Sequence, residues 1–322
     1  MIITANRPRH KIGDYHTVIW CGLVIILTWS LLLINRVSER RDMIAGATHE
    51  ATNLADAITG YLEQVFGSFD QILVAARFTA LTPASRLVLK HMAEVSHLGG
   101  SILSLSLYDT TGTLVASTAP ETPSVNIADR IWFKDFRDRT DDRLFIGPPI
   151  TSRTVNRLSV ILARGIRDNH GRFQGMVGMS ISPEFFAAFF RHMPLGNHGV
   201  IKLIGRDSTI YVRVSSKSVT YGQPVTTSGL STMIKQAEVT PIGTSFVSSE
   251  GVIDHVATYF SFHALPSYYP LIVTVGISED DILEVYRSET QQIIAVALLF
   301  SCALIVGTVI AQRRMNITCL SG

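Results

Sequence analysis

The stretch IADRIWFKDF, residues 127–136, combines side chains that together could bind a carboxylate. Arg130 offers a planar pair of guanidinium donors, which matches the two oxygens of a carboxylate. Trp132 and Phe133 follow closely, and aromatic rings at such a site exclude water and pack against the carbon skeleton of a ligand. An arginine near aromatic residues more often makes a surface cation–π or ion-pair contact. This pattern alone therefore allows two interpretations, a carboxylate site and a surface contact.

The sequence carries no recognisable catalytic motif. It has no G-x-S-x-G nucleophile turn, no H-E-x-x-H helix, no glycine-rich phosphate loop and no C-x-x-C pair. The 10 histidines are scattered, without a close pair at metal-ligand spacing. We therefore expect a protein that is not an enzyme and that holds neither a metal ion nor a cofactor. An extracytoplasmic enzyme anchored at both ends is the less favoured alternative.

Two uncharged apolar segments lie near the ends of the chain, at residues 17–34 and 293–311. About 18 such residues are enough to cross a hydrocarbon core of ~30 Å, so both segments are predicted to be transmembrane helices. The residues that follow the first segment, NRVSER, contain no small-residue cleavage site. This favours an uncleaved anchor over a signal peptide.

Basic residues flank the two segments on the sides that face the chain ends: Arg7, Arg9, Lys11, Arg313 and Arg314. They predict that residues 1–16 and the short tail 312–322 are cytoplasmic, although further arginines after the first segment weaken the signal. Residues 35–290 then lie on the extracytoplasmic side of the membrane. This region contains no cysteine, so no intramolecular disulfide can hold it. The net charge of +2 gives no case for nucleic-acid binding.

A long helix is predicted over residues 37–77. Its apolar residues recur at spacings of three and four: Leu54, Ile58, Leu62, Val65, Phe69, Ile72 and Ala76. That spacing places them on one face. The face is expected mainly to pack against the rest of the domain, and it could also pair with a second copy of the chain.

Beyond this helix the apolar period changes to two, which predicts strands joined by tight turns. Residues 103–107 begin one hairpin, and residues 158–167 and 173–181 flank the turn DNHG of a second. Ser182 is predicted to cap a helix whose first residue is a proline. Four phenylalanines are expected on the buried side of that helix: Phe185, Phe186, Phe189 and Phe190.

A similar series of elements follows. Strands are predicted at 200–204, 209–213, 256–260 and 271–277, and the sequence SEDD begins another helix with acidic residues in its first turn. The segments GMSISPEFF and TVGISEDDIL match in order, which indicates two modules in tandem with a junction near residues 193–197. The predicted fold class is therefore α+β: a long N-terminal helix, then two modules with antiparallel sheets, flanked by two transmembrane helices.

From about Arg36 to Ser288 the sequence resembles the double Cache sensor domains of bacterial chemoreceptors, histidine kinases and diguanylate cyclases. The segments that carry the resemblance are ADRIWF and LFIGPPITSRTVNRLSVILARGIRDNHGRFQGMVGMSIS. The resemblance implies two PAS-like modules: a membrane-distal module at about 78–195 that binds the ligand, and a membrane-proximal module at about 196–290. It also implies a homodimer.

In the amino-acid-binding members of that family, the arginine and tryptophan of an R-x-W pattern hold the ligand carboxylate, helped by the next aromatic residue. The positions that hold the ligand amine correspond here to Pro149, Thr151 and Ser180, none of which offers a negative charge. The ligand-binding residues implied by the resemblance are Arg130, Trp132, Phe133, Thr151 and Ser180. We expect a small carboxylate without an α-amine, or another small polar metabolite.

Sensor domains of this kind pass their signal to an output domain. About 11 residues follow the second apolar segment, fewer than the ~40 that a self-supporting domain needs. We therefore expect a sensor that signals through a cytoplasmic or membrane partner, or the sensor portion of a longer cyclase or kinase. A membrane scaffold that acts through a partner is the third alternative.

Overall fold

The computed structural model describes residues 11–79, 88–92, 100–119, 124–139, 141–247 and 257–320. Some residues used in the sequence-based predictions lie outside the described residues: Arg7, Arg9 and Val256, the first residue of the strand predicted at 256–260. The chain divides into two compact units, one formed by Met1–Gly46 with Ile282–Gly322 and the other by Ala47–Asp281.

Five helices are described at full length: α1 (Lys11–Thr79), α2 (Ile131–Asp138), α3 (Pro183–Phe190), α4 (Ser228–Val239) and α5 (Glu279–Leu320). The sequence predicted an apolar helix over 17–34 and a second helix over 37–77, whereas the structure joins them in α1. No proline interrupts this stretch and its glycines are isolated, so nothing in the backbone chemistry ends the helix between them. In the same way α5 contains both the predicted acidic helix start and the second apolar segment.

Among the described residues, two helices are long and apolar enough to cross a membrane, within His16–Phe78 and Glu279–Arg313. In the unit that contains both apolar segments, polar contacts join α1 to α5. The Trp29 indole N–H donates to Ser301 Oγ at 3.2 Å, and the Tyr286 hydroxyl donates to the carbonyl oxygen of Arg36 at 3.0 Å. Interhelical hydrogen bonds of this kind stabilise helix pairs in an apolar environment.

The first sheet belongs to residues 100–195, which we call the first module. Its strands are β1 (Ile102–Tyr108), β2 (Leu114–Ser117), β3 (Phe145–Ile146), β4 (Ile150–Thr151), β5 (Leu158–Arg167) and β6 (Phe173–Ile181). The strand order is β2-β1-β6-β5-β3, with β4 paired to β5, and every pairing is antiparallel. Both predicted hairpins are confirmed.

The second sheet belongs to residues 196–281, the second module. Its strands are β7 (Val200–Gly205), β8 (Thr209–Ser215), β9 (Val219–Pro224), β10 (Ile242–Val247), β11 (Thr258–Ala264) and β12 (Leu271–Ser278). The order is β10-β11-β12-β7-β8-β9. The strands predicted at 200–204, 209–213 and 271–277 are confirmed. The strand predicted at 256–260 is described from Thr258 and continues to Ala264, while β9, α4 and β10 were not predicted.

The apolar face of α1 packs against both sheets of the Ala47–Asp281 unit in one hydrophobic core. Phe66 is fully buried, and its ring lies 5.7 Å from that of Phe186 in α3 and 5.5 Å from that of Tyr269 in the second module. Burial of large aromatic side chains of this kind dominates the energy of a core. The predicted helical stripe is therefore the element around which both modules are assembled.

Two details of α3 differ from the sequence-based prediction. Ser182 occupies the N-cap position, but its side chain makes no capping hydrogen bond, and Pro183 provides the favourable first position instead. The phenylalanines also differ in burial. Phe186 and Phe190 are buried, whereas Phe185 and Phe189 are half-buried and pack at the margin of the core.

Candidate ligand-binding site

The first sheet has two faces with different partners, because neighbouring residues of a strand point to opposite sides. Leu105 and Leu107 of β1 belong to the core that includes α1. Tyr108 belongs instead to a second cluster, with Ile127 and with Phe133 of α2. The segment from residue 124 to the end of α2 therefore covers the face of the sheet that is turned away from α1.

A small cavity of about 20 Å³ lies under this cover. It is lined by Ser106, Tyr108, Ile127, Arg130, Trp132, Ile150, Ser152, Arg153, Thr154, Ile161, Gly178, Met179 and Ser180. A volume of this size holds about one water molecule. Anything larger than water therefore needs lining side chains to move when it binds.

Arg130 is the N-cap residue of α2 and is half-buried. Within the part of the chain that the structure describes, its side chain makes no hydrogen bond or ion pair. The first turn of α2 contains no acidic residue, so the partial positive charge of the helix N-terminus adds to that of the guanidinium. The electrostatics at this end of the cavity therefore favour an anion.

The two aromatic residues predicted for the site have different places. Trp132 lines the cavity and stacks on Phe145, with ring centroids 5.8 Å apart. Phe133 is buried outside the lining, and its ring packs edge-on against that of Phe173 at 5.6 Å. Phe133 thus anchors α2 to the sheet, and Trp132 is the aromatic wall of the cavity.

Hydroxyl groups form much of the polar part of the lining. The hydroxyls of Tyr108 and Thr154 lie 2.8 Å apart, and those of Ser152 and Ser180 lie 3.1 Å apart. Burial raises the pKa of Tyr108 and outweighs the opposing effects of its hydrogen bonds and of the Arg130 charge. Tyr108 is therefore a neutral hydroxyl that can donate a hydrogen bond.

The backbone of β6 fixes the position of Tyr108. Gly175 has a φ of +131°, and a Cβ added there would collide with the carbonyl oxygen of Tyr108. Only glycine permits so close an approach of the two strands at this point. The close packing of β1 against β6 therefore depends on this glycine.

The three positions that correspond to the amine-binding residues of amino-acid receptors are separated in the structure. Ser180 lines the cavity. Thr151 is exposed and Pro149 is buried, and neither is part of the lining. Ser152, the neighbour of Thr151, lines the cavity instead, because side chains of adjacent residues point in opposite directions along an extended segment.

Several lining residues were not predicted from the sequence: Ser106, Tyr108, Ser152, Arg153 and Thr154. The pattern LSLSL of β1 did contain a signal, since it places serines on a face of the strand that the structure buries. A buried hydroxyl in a sheet needs a partner, so alternating serines in a predicted core strand can indicate a polar cavity.

Arg153 forms an ion pair at the edge of the cavity. Its Nη1 and Nη2 atoms donate to the two carboxylate oxygens of Asp129 at 2.6 and 2.8 Å. This hydrogen bonding lowers the pKa of the Asp129 carboxyl to about 2. No carboxylate is present in the lining itself, and the described residues contain no group of three His, Cys, Asp or Glu side chains placed to hold a metal ion.

No family model matches the chain, and no curated protein matches it. Solved structures do. The extracellular domain of rpHK1S-Z16, a protein assigned as a histidine kinase, is 24% identical with a TM-score of 0.63, over 74% of this chain and 98% of that one. The periplasmic sensory domain of the Campylobacter jejuni chemoreceptor Tlp1 is 12% identical with a TM-score of 0.58, over 75% and 98%.

A third similar structure is the ligand-binding domain of the Pseudomonas fluorescens chemoreceptor CtaA in complex with L-isoleucine. It is 17% identical with a TM-score of 0.54, over 78% of this chain and 98% of that one. The fold is therefore that of the extracellular sensor domains of histidine kinases and chemoreceptors. The resemblance to double Cache domains and the predicted fold class are confirmed at the level of the fold.

Proposed function

We propose that this chain is a membrane-anchored sensor whose first module binds a small carboxylate in the cavity beside Arg130. The proposal rests on the Arg130 guanidinium, which is half-buried, lines the cavity and makes no ion pair with a described residue. A half-buried cation without a counter-charge is costly, and an anion that binds there offsets this cost.

The hydroxyl groups of the lining suit the rest of such a ligand. Tyr108, Ser152 and Ser180 can each donate to, or accept from, a carbonyl or hydroxyl group. Trp132 offers an apolar surface for a short carbon chain. Short hydroxy acids, keto acids and simple monocarboxylates combine these properties.

An α-amine fits the cavity poorly. The CtaA domain was solved with L-isoleucine, and an ammonium group of that kind needs a negative charge or several acceptors around it. Here none of the described lining residues carries a carboxylate, and the nearby Asp129 is already engaged by Arg153. An ammonium group close to Arg130 would instead be repelled by the guanidinium.

Ligand entry is proposed to open the cavity. The hydrogen bonds between Tyr108 and Thr154 and between Ser152 and Ser180 join lining residues to one another, and the ligand would replace them with its own polar groups. The ligand biases the module toward the open arrangement only by the difference in its affinity for the two arrangements.

We further propose that α1 and α5 anchor the sensor in the bacterial inner membrane, with both chain ends in the cytoplasm. The two apolar helices and the extracellular or periplasmic placement of the similar sensor domains support this arrangement. In it, residues 35–290 are extracytoplasmic. The region of about 78–195, which contains the first module, lies far from the membrane, and the region of about 196–290, which contains the second, lies close to it. The sensor is proposed to act as a homodimer and to signal through a cytoplasmic or membrane partner.

A ligand screen on the purified full chain in detergent tests the proposed ligand class. Acetate, lactate and pyruvate are compared with glycine, L-alanine and L-isoleucine by thermal shift, with sodium chloride as the control for ionic strength. We expect at least one of the organic acids to raise the melting temperature and the amino acids to leave it unchanged. Stabilisation by amino acids alone would show that the proposed ligand class is wrong.

A further inference from the structure

Two arginines line the cavity of the first module, and their guanidinium groups have different surroundings. The Arg130 side chain makes no hydrogen bond or ion pair with the described residues, although its charge also helps to lower the pKa of the Asp129 carboxyl. Arg153 donates from both of its terminal nitrogens to Asp129, and Nη1 also donates to the carbonyl oxygen of Asn126 at 2.8 Å. The lining therefore carries two positive charges, and Asp129, from outside the lining, neutralises one of them.

We propose that Asp129 determines how many negative charges a ligand of this cavity carries, by occupying the guanidinium of Arg153. This inference rests on the proposed binding of a carboxylate and deepens it. With Arg153 engaged, the cavity offers one free guanidinium and selects a monocarboxylate. A dicarboxylate would need Arg153 for its second carboxylate and would have to displace Asp129.

The backbone around Asp129 makes it an effective competitor for Arg153. The Asn126 side-chain amide donates to the carbonyl oxygen of Thr111 at 3.1 Å and to the hydroxyl of Thr113 at 3.0 Å. Its own oxygen accepts the backbone N–H of Ala128 at 2.8 Å. These contacts fix the turn that leads to Asp129, so its carboxylate acts on Arg153 at a high effective concentration.

The bidentate geometry strengthens this competition. Paired hydrogen bonds between a guanidinium and a carboxylate are stronger than a single one, although solvent weakens this pair because the Arg153 and Asp129 side chains are 40% and 62% exposed. The ligand's second carboxylate could at best reproduce the same two bonds. It therefore gains little from displacing Asp129, whereas a neutral group at that end of the ligand has nothing to displace.

Two matched probes test the inference by calorimetry on the purified full chain in detergent: malonate and malonamate, in which one carboxylate is replaced by an amide of the same shape. The wild-type chain is expected to bind malonamate more tightly than malonate. Asp129→Asn frees Arg153 and should shift the ratio of the two affinities several-fold toward malonate; the shift is moderate because the Arg153 and Asp129 side chains are 40% and 62% exposed.

Asp138→Asn is the matched control. It makes the same change of charge in an aspartate that pairs with Arg137 at 3.0 Å, and neither residue lines the cavity. This variant should leave the ratio of the two affinities unchanged. An equal shift in both variants would mean that only the general charge of the surface matters, which would overturn the inference.

Arg153→Gln gives a second test, which can still be made if the Asp129→Asn variant does not fold. Without Arg153, the charge of Asp129 is no longer neutralised near Arg130, so malonamate should bind several-fold more weakly. Adding Asp129→Asn to Arg153→Gln should restore that affinity without creating a preference for malonate. If the double variant binds malonamate no better than Arg153→Gln, the inference is wrong.

The two proposals fail in different ways. If the wild-type chain binds neither these probes nor acetate, lactate or pyruvate, the carboxylate site itself is refuted. If the wild type binds malonamate while a folded Asp129→Asn variant keeps the wild-type ratio of affinities, only the role of Asp129 is refuted.

Discussion

Arg130 and Asp129 are adjacent in the chain, yet their charges have different partners. Asp129 pairs with Arg153, while no described residue accepts a hydrogen bond from the Arg130 side chain. An unpaired cation in a partly dry site attracts an anion more strongly than the same cation would in water. The proposed specificity for a carboxylate without an amine follows from these two charges together with the absence of an acid from the lining.

At the same scale, Ser180→Asp should change the ligand class. The new carboxylate would lie in the lining, where it could hold an ammonium group and offset the Arg130 charge. We expect glycine or L-alanine to bind at least about tenfold more tightly than to the wild type, and organic acids to bind more weakly. Calorimetry on the full chain measures both effects.

Ser180→Asn controls for the added volume, since it has a similar shape without the charge. It should gain no affinity for amino acids. A gain in the asparagine variant, or none in a folded aspartate variant, would contradict the charge-based explanation of ligand class.

The sequence predicted part of the site because the R-x-W pattern is local. Arg130 and Trp132 are two residues apart at the start of α2, so a single helical turn brings both side chains to the cavity. Ser106 reaches the cavity through the pairing of β1 with β6, in which it lies opposite Gly178. Ser152 reaches it because it follows β4, whose Thr151 pairs with Leu158 of β5. Pairing between distant strands cannot be predicted from the spacing of residues within one segment. If the predicted position is wrong by one residue, Thr151 is expected in the lining instead of Ser152.

At the scale of elements, α1 is joined to the first sheet by ion pairs as well as by the core. Arg164 of β5 donates from Nε and Nη2 to the carboxylate of Asp70 in α1, at 2.5 and 2.8 Å. It also contacts Asp142, which in turn accepts from Arg77 of α1 at 2.8 Å. Because β5 also contributes Ile161 to the cavity, this strand connects the lining to the long helix.

Arg164→Met should therefore destabilise the module. It leaves Asp70, whose side chain is 22% exposed, without its main counter-charge. We expect a loss of roughly 2 kcal/mol, less than for a fully buried pair, which corresponds to a decrease of roughly 4–8 °C in melting temperature. Thermal unfolding of the full chain in detergent measures it.

Arg137→Met is the corresponding surface control, because Arg137 and its partner Asp138 have side chains 50% and 64% exposed. Exposed pairs of this kind contribute about 1 kcal/mol or less. If the two variants lost equal stability, the connection between β5 and α1 would have no special role.

The elements with strong periodicity were predictable, and the weakly patterned ones were not. The spacing of apolar residues in α1 reflects one face that is buried along its length, and the apolar runs of β5 and β6 reflect strands that are buried on both faces. In contrast, β9 lies at the edge of its sheet with no fully buried residue, and it contains Gly222 and Pro224. An edge strand of this kind carries little of the alternation on which sequence-based prediction depends.

The sensing of an extracytoplasmic ligand requires the orientation proposed for the whole chain in the membrane. Asn169→Cys places a thiol in the exposed turn between β5 and β6, whereas the native Cys319 lies in the C-terminal tail. In intact spheroplasts, a membrane-impermeant maleimide should label the introduced cysteine and should label Cys319 only after lysis. Labelling of Cys319 from outside would contradict the orientation.

The direct test of the carboxylate site is calorimetry on the full chain and on its Arg130→Ala variant, using whichever of acetate, lactate and pyruvate gives the largest thermal shift. Arg130→Ala should weaken binding more than tenfold, while the circular dichroism spectrum should stay unchanged. Lys134→Ala is the control, because it removes the same charge from an exposed residue of α2. This variant should bind the ligand as tightly as the wild type does. Unchanged affinity in a folded Arg130→Ala variant would contradict the account.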